Sequence, residues 1–264
     1  MRGGSWRGIE FPALVGLIEH PQRGLMLYDT GYSSHFETAT RSFPECLYRV
    51  VTPVSLPPEE ELLQQLEARG IRPTDIETIF ISHFHADHVA GLRDFPQARF
   101  IATQSERRVC ENKGRIGRLR RAFLSELLPS DFDTRLTPVE SLPVISLPTD
   151  WHPFTMACDL LGDSSILGLD LPGHTASQLG LGFRTTPDEM IFLVGDACWK
   201  IEALAQNRPP SRLAYQLFHN GKTYDETFVR LQSLHGSSQA PQIIPSHCST
   251  TWKQRGGTRH ITRV

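Results

Sequence analysis

No apolar run in this chain approaches the ~20 residues needed to cross a bilayer, so nothing in it reads as a membrane-spanning helix. There is no CxxC pair. The five cysteines, Cys46, Cys110, Cys158, Cys198 and Cys248, are odd in number and scattered. That argues against a disulfide framework and against a zinc held by four thiolates. Charge of one sign is lacking too: the formal net charge is −2, which gives no global drive toward nucleic acid or an anionic membrane. The opening MRGGSWRGIE has basic residues but not the apolar stretch of a secretory signal, so a cytoplasmic location is expected. No low-complexity run or short-period repeat is visible.

What the chain does have is length and histidine. Its 264 residues, 39% of them hydrophobic, suffice for a substantial core in one large domain or two fused halves. Histidine occurs 11 times, a first hint of metal chemistry. The apolar runs ALVGLIEH (13–20) and GLMLYDTG (24–31) flank a Pro-Gln-Arg-Gly turn and read as a β-hairpin. A helix is expected from Pro57 and Pro58, with a stripe of Leu62, Leu63 and Leu66, ending at Gly70. Strands are expected at 78–82 and 98–103, then a helical and loop-like stretch over 104–140. Further strands are expected at 143–147, 155–160, 165–170, 177–184, 190–195 and 242–248, with helices near 198–206 and 224–234. Strands and helices in both halves predict layered α/β architecture.

The strongest chemical signal is His83-Phe84-His85-Ala86-Asp87-His88, at the end of an apolar strand. In extended backbone alternate side chains share a face, so His83 and His85 can reach one ion together. A turn at Ala86 then directs Asp87 and His88 toward a second. Imidazole and carboxylate donors suit zinc, and also iron or manganese. Three more ligand-bearing loops follow strands: Pro172-Gly173-His174, Gly195-Asp196 and Ser246-His247.

The HxHxDH run with separate His, Asp and His loops, in that order, resembles the metallo-β-lactamase superfamily over most of the chain, from Asp29-Thr30-Gly31 to His247. The resemblance implies a four-layer αβ/βα sandwich of two mixed sheets, a single domain over 1–264 with pseudo-halves of about 1–135 and 136–264. It implies two divalent metal ions, zinc foremost. His83, His85 and His174 would hold the first; Asp87, His88 and His247 the second; Asp196 would bridge them. Asp87 and Asp196 are the candidate catalytic carboxylates, Asp87 with a second role in proton relay. Asp29 would orient a ligand histidine; alternatively it forms a turn by bonding its own backbone.

The substrate is less legible. The LYDTGY hairpin, the stretch after HADH and VGDACW most resemble lactonases that open N-acyl homoserine lactones. A small-molecule lactone or carboxylic ester is therefore expected, hydrolysed by water activated on the metals. Phosphodiester, phosphate ester or thioester hydrolysis on the same site, or a non-catalytic metal-bound sensor, are the alternatives. One departure stands out: such lactonases commonly carry tyrosine three residues after the bridging aspartate, and here that residue is Trp199. Trp199 and Tyr32 are the candidate pocket residues. His35, His152 and His219 are expected to be structural.

Seven basic residues and one acid fall within 107–121, read as a solvated helix face rather than an electropositive lid. The following Ala122, Phe123, Leu124, Leu127 and Leu128 are read as an apolar wall or a homodimer surface. No nucleic-acid or membrane partner is expected.

Overall fold

The computed structural model describes residues 11–187 and 189–254, and the backbone of 262–263. Residues 1–10, on which the expectation of no secretory signal rests, lie outside the described residues. The chain divides into two compact units, Val15–Pro138 and Met1–Leu14 with Val139–Val264. They are called the N-terminal and C-terminal units below.

The N-terminal unit is built on strands β1 (Gly16–His20), β2 (Gly24–Tyr28), β3 (Ile76–Phe80), β4 (Arg99–Ala102) and β5 (Leu136–Pro138), adjacent in that order. The β1–β2 hairpin is antiparallel, with Gly24 at φ 68 closing its turn. Parallel pairing then runs from β2 through β5, so the C-terminal ends of β2, β3 and β4 lie along one edge. That edge is where loops of parallel sheets carry function.

Its core packs Leu27, Ile79, Phe84, Leu92, Phe95, Phe100 and their neighbours. Each such side chain contributes about 1.5–3 kcal/mol by leaving water. Phe123, Leu124 and Leu127 belong to this core. Their expected place on an apolar wall or dimer surface is thus corrected: the segment turns inward to cover the sheet.

The helix expected over 57–70 is broken. Glu61 is extended (φ −62, ψ 138), leaving a 3-10 turn at Pro58–Glu60 and a helix at Leu62–Glu67. Its stop is as read: Gly70 takes φ 71, and the Ile71 N–H bonds back to Leu66 O at 3.0 Å. Two short helices, Ser34–Ala39 and Cys46–Val51, and strand β5 have no counterpart in the sequence reading.

The C-terminal unit holds β6 (Val144–Ser146), β7 (Met156–Asp159), β8 (Ile166–Asp170), β9 (Leu179–Thr186), β10 (Glu189–Leu193) and β11 (Gln242–Ile244), again adjacent in sequence order. All neighbours are antiparallel except β10–β11. Two antiparallel steps restore direction, so β8, β10 and β11 all point the same way. Their C-terminal ends share one edge. The helix Gly221–His235 buries Tyr224, Phe228, Leu231 and Leu234 against a core containing Trp151, Phe154, Leu169 and Phe192. Both sheets are therefore mixed and each is flanked by helices. Among the described residues no helix is long and apolar enough to cross a membrane.

Candidate metal centre

In the N-terminal unit the loops after β2 and β3 meet because those strands are parallel and in register, Tyr28 opposite Phe80. Asp29 is the next residue after β2. It is fully buried and takes φ 63, a conformation open to few residues other than Gly, Asn and Asp. Its carboxylate accepts three hydrogen bonds: from Ser82 N–H at 2.7 Å, from Ser82 Oγ at 2.8 Å and from His88 Nδ1 at 2.7 Å. These partners lie on the loop after β3 and not in the backbone of Asp29's own turn, so the geometry fits the histidine-orienting reading rather than the turn-former, with His88 Nε2 as the outward atom.

The chain leaves β3 at Phe80, bends at Ser82 and then passes from extended backbone at His85 (φ −71, ψ 153) into the one-turn helix Ala86–Val89. That change of backbone folds the linear motif onto itself. The His83 ring lies 4.5 Å from that of His85 and 4.1 Å from that of His88. Asp87 Oδ2 is 3.7 Å from His88 Nε2. The pairs His83–His85, His83–His88 and Asp87–His88 each present ligand atoms within 4.8 Å of one another. The turn is tied down by Thr30, whose N–H and Oγ1 both donate to His88 O, at 2.8 and 3.0 Å. Ser33 Oγ does the same for Ala90 O at 2.7 Å.

In the C-terminal unit three separate strand ends supply the donors. Asp196 lies between the two histidines in space: Oδ2 lies 3.3 Å from His174 Nε2 and Oδ1 lies 3.0 Å from His247 Nε2. His247 is oriented by donation from Nδ1 to Pro12 O at 2.7 Å. Gln178 holds the Asp196 loop, donating to Val194 O at 2.9 Å and accepting the Asp196 N–H at 3.3 Å.

The His174 loop depends on Gly173. Its φ is 127, and an added Cβ would sit 2.3 Å from the backbone of Tyr224. That closeness lets Gly173 O and His174 O accept from Asn220 N–H and His219 N–H, at 3.0 and 2.9 Å, just before the helix Gly221–His235.

Aromatic side chains surround these donors. Phe218 lies 5.3 Å from the His174 ring, Trp199 lies 5.6 Å from Phe218, and Phe11 packs 6.0 Å from Trp199 and 6.1 Å from His247. Trp199 also donates its indole N–H to Asp196 Oδ2 at 3.2 Å. Behind it Cys198 is buried, and burial pushes its thiol up to about 12, so it stays neutral beside Asp196. Tyr32 packs 4.9 Å from Phe36 in the N-terminal core. His35 pairs with Asp94 at 2.7 Å.

The metallo-β-lactamase superfamily model matches residues 8–197. The chain belongs to the metallo-beta-lactamase superfamily. By that membership it is a metallohydrolase with the superfamily's α/β fold, as its sequence motifs imply. The chain is 24% identical over 243 residues to N-acyl homoserine lactonase AiiB of Agrobacterium fabrum, covering 92% of this chain and 82% of that one. Over 101 residues it is 33% identical to the probable metallo-hydrolase Rv2300c of Mycobacterium tuberculosis, 38% of this chain and 32% of that protein. Among solved structures it is similar to B. thuringiensis AiiA with N-decanoyl-L-homoserine bound at the active site. The TM-score there is 0.64 at 17% identity, covering 93% of this chain and 85% of that one. It is also similar to AidC, a dizinc quorum-quenching lactonase, with TM-score 0.58 at 16% identity, covering 86% and 70%.

The superfamily motifs point to the candidate ligands but not to their supports. Ser82, Gln178 and Pro12 carry no sequence signal that sets them apart, since each acts through a single hydrogen-bonding atom placed by the fold.

Proposed function

We propose that this superfamily member hydrolyses a lactone or carboxylic ester bearing an apolar substituent, with an N-acyl lactone as the fitting class. The observation that carries this reading is the aromatic surround of Phe11, Trp199 and Phe218 against His174 and His247. Such a lining favours an acyl chain. The names of the AiiB and AidC relatives support the same class.

His83, His85 and His174 are assigned to one divalent ion, Asp87, His88 and His247 to a second, and Asp196 to both. The donor set fits: imidazoles and carboxylates that are buried or, at His85 and Asp87, partly buried, with no thiolate, suit zinc, and iron or manganese as alternatives. Two such ions would lower the pKa of a water and polarise the substrate carbonyl. The chain's own residues do the rest. Asp29 and Ser82 aim His88, Pro12 O aims His247, and Trp199 holds Asp196 Oδ2. Asp87, only partly buried, is the carboxylate assigned to relay a proton.

Phosphoester hydrolysis is the second reading, the one that the basic stretch 107–121 would favour, and three of its seven basic side chains are already engaged. In the basic stretch Arg107 pairs with Glu111 and Asp133, Arg108 with Gln104 and Arg115 with Glu45. These side chains are engaged within the N-terminal unit rather than held ready for phosphate.

The test is metal content of the purified chain together with turnover of N-acyl lactones, simple esters and phosphodiesters. About two ions per chain, with chelator-sensitive turnover of acyl lactones fastest, is the expected result. Faster phosphodiester turnover would keep the site and overturn the substrate class. No metal and no metal-dependent turnover after reconstitution would overturn both.

A further inference from the structure

A net charge of −2 hides a local arrangement of the opposite sign. The stretch 107–121 has seven basic residues against Glu111, so the rest of the chain carries an acidic excess. Two short helices of the N-terminal unit, Cys46–Val51 and Arg115–Leu119, are tied together by one side chain. Arg115 donates to both carboxylate oxygens of Glu45, at 2.7 and 2.6 Å, and to Phe43 O at 2.9 Å. Glu45 is itself almost fully buried, and the Arg115 guanidinium beside it holds its carboxyl below the usual range, so the clasp is ionic.

The clasp brings together apolar side chains that the fold leaves in water. Phe43 is 72% exposed, Val50 74%, Val51 75% and Ile116 60%, with Leu47 beside them. These values describe side chains that stand out from the surface rather than line a groove. Leu47, Val50 and Val51 lie at i, i+3 and i+4 on the helix Cys46–Val51, while Arg115, which bonds Phe43 O, opens the helix that carries Ile116, so these side chains form one ridge. Exposed Arg41, Arg49, Lys113 and Arg120 occur on the same two segments. A contiguous exposed apolar patch calls for an occupant.

We propose that this ridge docks the protein peripherally on an anionic phospholipid surface, with the apolar side chains at the headgroup–acyl boundary and the basic ones among the headgroups. Charge decides between this occupant and a second copy of the chain. A two-fold dimer would lay the patch on itself and set basic rim against basic rim. An anionic leaflet meets the same rim with opposite charge, and each lysine or arginine near it strengthens binding by roughly fivefold. Protruding valines and a phenylalanine on short helices, flanked by arginine, match interfacial docking rather than spanning. The inference does not rest on the substrate assigned above.

Co-sedimentation with vesicles tests it, using the full chain. Phosphatidylcholine vesicles containing about a third phosphatidylserine are expected to bind it, and pure phosphatidylcholine vesicles to bind it at least about tenfold more weakly. Raising salt from about 0.1 M to about 0.5 M should release it. Arg49→Glu with Arg120→Glu, and separately Val50→Ser with Val51→Ser, should each weaken binding about tenfold or more. All four positions are exposed, so unchanged thermal melts are expected. Equal binding to both vesicle types, or none to either, would overturn the proposal. So would a concentration-dependent dimer in sedimentation equilibrium that Val50→Asp dissociates, which would assign the ridge to a second copy.

Discussion

The two units assemble their donors by opposite strategies. In the N-terminal unit four ligand candidates lie within six residues, and a single change of backbone from strand to helix turn folds them together. In the C-terminal unit His174, Asp196 and His247 come from three strand ends and meet only because β8, β10 and β11 run in one direction. The first cluster is local and carries its geometry in its own sequence. The second is global and depends on close packing elsewhere. Damage to packing should therefore fall harder on the second, and damage to hydrogen bonding harder on the first.

The largest expected effect tests that dependence. Gly173→Ala drives a Cβ to within 2.3 Å of the Tyr224 backbone from a φ of 127, and neither end can give cheaply. A loss of about 3–5 kcal/mol of unfolding free energy is expected from overpacking and backbone strain together. Gly114→Ala in the N-terminal unit is the control, since nothing lies within 4 Å of its Cβ. Denaturant melts of both variants check the point. Equal, small losses would show that the His174 loop does not rely on the close approach.

Next in size is a change in the local cluster. Asp29→Asn keeps shape and tolerates the positive φ, but it puts an amide where His88 Nδ1 and both Ser82 donors need an acceptor. Metal affinity should fall about 10–100-fold, the usual cost of removing such a partner. Competition with a chromophoric chelator measures it. An unchanged affinity would leave Asp29 as a brace for the Ser82 loop only.

The same contrast explains what was legible in the sequence. Strand and helix periods, the HxHxDH run and the three single-ligand loops were readable because each is encoded by neighbours. Apart from β5, the strands of the two sheets match the expected ones to within a few residues because their cores are alternating or continuous apolar runs. The helices Ser34–Ala39 and Cys46–Val51 carry no clear periodic signal because they are one to two turns long, and the second leaves Leu47, Val50 and Val51 exposed. For Phe123, Leu124 and Leu127 the sequence shows an apolar run but not the surface it packs against, which is this unit's own core. Ser82 and Pro12 were invisible because an ordinary hydroxyl or carbonyl acquires a role only when folding brings a histidine to it.

The smallest effect sharpens the comparison at Trp199, the position where the chain departs from the lactonases it resembles. Its indole serves the C-terminal cluster twice, as a wall beside Phe218 and Phe11 and as a donor to Asp196 Oδ2 at 3.2 Å. Trp199→Phe keeps most of the wall and deletes the donor. A hydrogen bond to a charged acceptor contributes about 1.5–3 kcal/mol, reduced here because the indole is only half-buried, so about a tenfold loss in kcat is expected. If the donor matters more than the wall, Trp199→Tyr should restore part of kcat while KM for long acyl chains rises. If the wall matters more, both variants should raise KM alike and leave kcat in place. The split between kcat and KM thus separates a hydrogen bond aimed at a carboxylate from an apolar contact with substrate, in the cluster whose geometry the sequence encodes least directly.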